Sequence, residues 1–297
     1  MTSNRTQHRE VGIMRQEADR GASFVGSASG IHFVQSVYNA VGTASPEDSQ
    51  QGLVPGEEDQ LSDDSRDGGK RRLWRLGETY RDSLEDVVTF EDLVQWSQSY
   101  FEYWHPVLPF LHAPSFLSWC ETISHHSLKL APRSLSPYKM IIVRAVLSTS
   151  LMDRRQIGPQ RSREAVPQSL LFESFQDAIT SIQAVLVAPP SIESLQSAIS
   201  VQLFLISMLR HNAASRVGGM IVRLLFQMGM HRCPYRYSAF SQQDCVLRQR
   251  IFWSVYSLDR YICQSLGIPL TLRDDDIDVC MLDSEQHEHE GGADCGE

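Results

Sequence analysis

The sequence holds no apolar run approaching the ~18–20 residues that a membrane helix needs. Its richest stretch, Ala198 to Leu209, is broken by Ser200, Gln202 and Ser207. The opening residues, with Arg5, Arg9, Glu10, Arg15 and Glu17, contain no apolar signal core. Cysteine is sparse: Cys120, Cys233, Cys245, Cys263, Cys280 and Cys295 form no C-x-x-C knuckle, and none precedes Cys120. Reduced thiols are therefore expected, with neither a disulfide framework nor a cysteine-built structural zinc site. Alternating β-branched runs are missing too, as are G-x-S-x-G, H-E-x-x-H, the P-loop and G-x-G-x-x-G. These absences leave no catalytic, cofactor-binding or metal-ligating residue to nominate, and the expectation is a protein that is not an enzyme.

Three weaker constellations were weighed. Cys280, His287, His289 and Cys295 bring ligand types close together, but in an acidic stretch with Gly291 and Gly292, where nothing preorganises a tetrahedron. Asp274-Asp275-Asp276-Ile277-Asp278 lacks the glycine that a calcium loop needs at its sixth position. His231 and Cys233 are neighbours in sequence, which does not establish a nucleophile–base pair in space.

What charge there is lies unevenly. The 297 residues carry 27 basic and 36 acidic side chains, a net of −9. Residues 47–67 hold eight acids against Arg66, and residues 273–297 hold ten acids against one arginine, nets of −7 and −9. The remainder is +7. Only Lys70-Arg71-Arg72 with Arg75 hints at a nucleic-acid contact, and it reads as a solvated cluster flanking a loop.

Residues 1–20 are polar and aperiodic, and a disordered tail is expected there. Residues 21–42 place an apolar stretch (Ile31, Phe33, Val34, Val37, Tyr38) that packs on or precedes the core. Residues 43–88 are an acidic linker and domain approach, within which 43–70, bearing glycine and proline, buries too little apolar surface to order itself. From residue 89 to 282 the pattern is helical: 89–104, stopped by His105-Pro106; from Pro114 through Ile123; 137–152; 168–187; 191–210; 214–228, stopped by Gly229; and 241–267. Residues 283–297 form an acidic tail. The expected fold class is all-α, a multi-helical domain. In the last helix, Trp253, Tyr256, Asp259 and Arg260 lie on or near the apolar stripe, which either fastens the domain together or lines a pocket.

Three ordered blocks carry a resemblance. Tyr100-Phe-x-x-x-His105-Pro106-x-x-Pro109-Phe110-Leu111-His112-x-Pro114-x-Phe116 is the first. Ile221-Val-Arg223-Leu-x-x-x-Met228-Gly229-Met230-His231-Arg232 is the second. The third is Arg250-Ile-Phe252-Trp253-x-x-Tyr256-x-x-Asp259-Arg260, then Gly267-x-Pro269 and Asp275-Asp276-Ile277-Asp278-Val279. Together they span about 95–282 and resemble the fungal-specific transcription factor domain, the middle homology region of fungal zinc-cluster regulators. Phe24-Val-Gly-Ser27-x-Ser29-Gly30-Ile31-x-Phe33-Val34 is similar to a segment preceding this domain in the xylanolytic-activator branch. Where the family has arginine between the glycine and proline of the third block, this chain has Ile268.

The resemblance implies a nuclear regulator of RNA polymerase II transcription. It implies His105, Pro106, Pro109, Phe110, His112, Arg223, Gly229, His231, Arg232, Trp253, Tyr256, Asp259, Arg260, Asp276 and Asp278 as structural or regulatory motif positions. Zinc is expected in full-length relatives and not in this chain, because the family binds DNA through a cluster of six closely spaced cysteines. The expected partners are the transcriptional machinery, another zinc-cluster regulator or a second copy of the chain; DNA would be reached only through the zinc-cluster region, and no membrane is expected. The domain is expected to be C-terminally truncated relative to its relatives. The alternative is a stand-alone module that dimerises with, or titrates, an intact regulator.

Overall fold

In the computed structural model the described residues are 12–17, 21–34, 37, 73–74, 77–80, 88–125, 135–157 and 165–281. The acidic stretch 47–67, the Lys70-Arg71-Arg72 cluster with Arg75, and the tail 283–297 with His287, His289 and Cys295 lie outside them.

The chain is all-α, with two minor sheets. Strands β1 (Ile13–Glu17) and β2 (Gly21–Val25) pair antiparallel with Ile13 opposite Val25, so β1 falls where the sequence shows no strand pattern. Residues 30–34 are helical. Strand β3 (Thr79–Tyr80) meets a two-residue parallel partner, β4, at Val166–Pro167. Two residues are too few to give an alternating pattern, which is why neither strand is legible in the sequence.

Helix α1 (Phe90–Ser99) starts at a capping box: the Asp92 amide donates to Thr89 Oγ1 at 3.1 Å and the Thr89 amide to Asp92 Oδ2 at 3.0 Å. The chain then widens into a π-helical turn, Tyr100–Trp104, rather than continuing as one α-helix to residue 104. Groups from the helix over residues 137–157 bond this turn: Ser150 Oγ accepts the Tyr100 amide at 2.9 Å, and the Asp153 carboxylate accepts Ser99 Oγ at 3.1 Å and Trp104 Nε1 at 2.8 Å. Helix α2 (Ala113–Ser124) follows with Pro114 in its first turn, and α3 runs Pro137–Ile157.

The helix expected over 168–187 is instead three short pieces: a 3₁₀ turn Gln168–Leu170, helix α4 (Phe175–Ser181) and a second 3₁₀ turn Gln183–Leu186. Tertiary partners claim its backbone. Arg144 donates to the Leu171 carbonyl at 2.7 Å, Ser148 Oγ accepts the Phe172 amide at 3.1 Å, and Trp74 Nε1 donates to the Phe172 carbonyl at 2.7 Å. Leu171 and Phe172 are buried by this kink, whereas Leu186, at the end of the same expected helix, is exposed.

Helix α5 (Ile192–Ser207), capped by Ser191 and Ser194, is buried on all sides from Ser194 to Ile206. It is sandwiched between α3 and α6 (His211–Gln227). Its polar residues survive there by local pairing: Ser197 and Ser200 hydroxyls bond carbonyls one turn back at 2.7 and 2.8 Å, and Gln196 Nε2 donates to the Phe110 carbonyl at 2.7 Å. Helix α7 (Gln242–Leu266) packs on α6 and ends at Gly267, whose φ of +66° is the left-handed cap conformation. The helices thus neighbour one another in the order α2, α1, α3, α5, α6, α7 around one apolar core.

Candidate functional site

After Gly267 the chain doubles back along α7, and α7 supplies the groups that hold it there. Asp259 is 8% exposed. Its Oδ2 accepts the Thr271 and Leu272 amides, each at 3.1 Å, and Arg260 NH1 at 3.1 Å. One buried carboxylate therefore satisfies two loop donors and its own counter-ion, the condition under which a buried charge is tolerated. Arg260 lies 4.0 Å above the Tyr256 ring and donates to the Leu272 carbonyl at 2.9 Å and Asp274 Oδ1 at 2.5 Å. Tyr256 OH reaches the same Asp274 oxygen at 3.0 Å.

One to two turns earlier, Trp253 Nε1 and Gln249 Nε2 donate to the Cys280 carbonyl at 3.0 and 3.1 Å. Asp278 then ties the returning strand to the segment following α6: it accepts the Cys233 amide at 2.8 Å and Arg236 NH1 at 2.8 Å, with Arg232 3.8 Å away. The Asp278 amide donates to the His231 carbonyl at 3.2 Å. Gly229, with φ of +66°, turns the chain so that 230–236 can meet residues 277–280.

The N-terminal segment closes the other end. The Gly26 amide donates to the Leu266 carbonyl at 2.8 Å and Ser29 Oγ to the Ser265 carbonyl at 2.6 Å, satisfying carbonyls left open at the end of α7.

The structure therefore brings the second and third sequence blocks together through Gly229, His231, Arg232, Trp253, Tyr256, Asp259, Arg260 and Asp278. Asp276 is exposed at their margin, and Arg223 stands on the solvent side of α6, outside the network. The first block touches it electrostatically. Burial, and secondarily the Arg250 guanidinium, hold His105 below its ordinary value. Phe110 is fully buried, Pro109 half-buried, and Pro106 and His112 are exposed, with His112 Nδ1 2.8 Å from Ser115 Oγ. Gln249 was missed, although its place one helical turn before Trp253 puts both on one face.

Cys233 Sγ faces Cys280 Sγ at 3.5 Å, while the His231 ring packs edge-on against Phe226 with centroids 5.0 Å apart. The two do not form a nucleophile–base couple. Among the described residues no three His, Cys, Asp or Glu side chains come together to hold a metal ion.

Residues 97–296 match the fungal specific transcription factor domain. The chain belongs to this family. Among curated relatives, the probable transcription factor FUP6 of Fusarium proliferatum is 29% identical over 94% of this chain and 42% of its own length. Activator of stress genes 1 of Saccharomyces cerevisiae is 24% identical over 63% of this chain and 19% of its own length. The transcriptional activator protein acu-15 of Neurospora crassa is 25% identical over 60% of this chain and 18% of its own length. The chain thus spans less than half the length of the curated relatives it matches. No solved structure matches it. In this member of the family, the lock built on Asp259, Arg260 and Asp278 is where the motif residues converge, and among the described residues no helix is long and apolar enough to cross a membrane.

Proposed function

We propose that the chain is the regulatory body of a nuclear regulator of RNA polymerase II transcription, and that it acts by protein contact rather than by chemistry. The observation that carries this reading is the use of the family-motif side chains. Those of the second and third blocks, Arg223 and Asp276 apart, are bonded to one another and to loop backbone, so they make a scaffold rather than a reactive centre. DNA recognition belongs to a zinc-cluster region, with zinc as a cofactor of that region alone. The partners are the transcriptional machinery or a second zinc-cluster regulator, reached from the outer faces of the helices.

The test fuses the chain to an unrelated DNA-binding domain in fungal cells carrying a reporter with the matching site. A change in reporter output of several-fold in either direction, lost in Asp259→Ala, supports the reading. An unchanged reporter with a folded, nuclear fusion protein overturns it. Loss of output from an intact zinc-cluster regulator on co-expression of the unfused chain identifies a titrating module instead.

A further inference from the structure

The contact between Cys233 and Cys280 is not needed to explain the lock, because Asp278, Gln249 and Trp253 already hold the same two segments. Yet both thiols are buried, at 2% and 7% exposure, with sulfurs 3.5 Å apart across 47 residues of sequence. Gln249 Nε2 lies 2.7 Å from Cys280 Sγ and fixes the sulfur in that position. Bonding needs the sulfurs to close by about 1.5 Å. Residues 277–281 are irregular, with Met281 exposed, so no helix or strand pairing has to break for that shift.

We propose that Cys233 and Cys280 are a redox pair that hydrogen peroxide converts to a disulfide, locking the returning strand onto the segment after α6. The Cys280 sulfur attacks one peroxide oxygen and the O–O bond breaks. Cys280 becomes a sulfenic acid, and its proton leaves with the departing oxygen as water. The Cys233 sulfur then attacks the Cys280 sulfur, the S–O bond breaks, and the Cys233 proton completes a second water. Two thiols lose two electrons in total, and one peroxide is reduced to two waters. Cys245 is the internal competitor. It lies near Cys233, and its thiol is pushed up by burial first and then by Asp244 and Cys233.

The experiment exposes the purified full chain to hydrogen peroxide and blocks remaining thiols with an alkylating reagent in denaturant. Disulfide-linked peptides are then quantified by mass spectrometry, with and without dithiothreitol. The expected result is a Cys233–Cys280 linkage at least tenfold more abundant than any other pair, absent after dithiothreitol. In Cys280→Ser the linkage vanishes and Cys233 becomes alkylatable. Should that variant fail to fold, the native chain compared with urea-unfolded chain still decides. A Cys233–Cys280 yield no greater in the native state, or a dominant Cys233–Cys245 linkage, overturns the proposal.

Discussion

A single carboxylate carries much of the local stability. Asp259 Oδ2, on a side chain buried from solvent, receives two backbone amides and a guanidinium at 3.1 Å. Removing it takes the acceptor from the Thr271 and Leu272 amides, while Arg260 keeps the Leu272 carbonyl and Asp274. Asp259→Ala should therefore cost about 3 kcal/mol, and Asp259→Asn, which keeps an acceptor but loses the charge, about half of that. Urea unfolding midpoints measure both, and a midpoint unchanged in Asp259→Ala would show that the loop is held by apolar packing instead. Two histidines set the acid side of stability. Burial is the largest cause of lowering in both His105 and His231; Arg250 adds to it at His105, and Arg232 at His231, where Asp278 and Asp276 oppose it. Their folded values thus fall below 6.5, and the unfolded chain takes protons first as pH drops. Stability from this source is fully present above pH 6.5 and is lost as pH falls through the folded values. Stability measured from pH 7.5 to 5 should fall less steeply in the His105→Asn, His231→Asn double variant. An identical slope would assign the acid response to other groups.

At the scale of elements, what was legible depended on whether a helix carries its own signals. The box at Thr89 and Asp92, the serine caps at 191 and 241, and the glycines at 229 and 267 are local chemistry, and the structure uses each as the spacing predicts. The 168–187 segment has equally good apolar spacing, but Arg144, Ser148 and Trp74 take its backbone groups from a distance, and no local pattern records that. The docking of residues 25–31 on the end of α7 was likewise invisible, since it rests on two glycine backbones touching. A Cβ on Gly26 would lie 1.8 Å from the Gly267 carbonyl oxygen, and one on Gly267 2.7 Å from the Gly26 oxygen. At Gly267 any non-glycine residue would also meet the left-handed conformational penalty, roughly 1–2 kcal/mol. Gly26→Ala should therefore release the N-terminal segment, read as protease cleavage within residues 26–34 at least several-fold faster than in the parent. Gly219, in the middle of α6, has open space around its Cβ position. Gly219→Ala should stabilise by about 0.5–1 kcal/mol with unchanged cleavage. Equal cleavage rates in all three proteins would show that the Gly26–Gly267 contact does not hold the segment down.

For the whole molecule, the motif blocks marked where the chain converges, but not what each residue does there. Asp259 and Asp278 hold backbone, whereas Arg223 and Asp276, equally prominent in sequence, stay on the surface. That division depends on burial, which no spacing rule reports. The distribution of charge then bears on DNA. Arg260 faces Asp259 and Asp274 and Arg144 faces Asp177, so these two guanidiniums are neutralised within the fold, while Arg232 and Arg236 share the single carboxylate of Asp278. Phosphate contacts need several unneutralised cations on one face, and base readout needs an element that enters a groove. The chain should accordingly shift no duplex in a sequence-dependent way. In gel shifts at about 0.15 M salt, any complex should disappear as salt rises and should be equally strong on scrambled DNA. A complex that survives on one duplex at least a hundredfold more tightly than on its scrambled version would place a DNA-reading surface within the helical body itself.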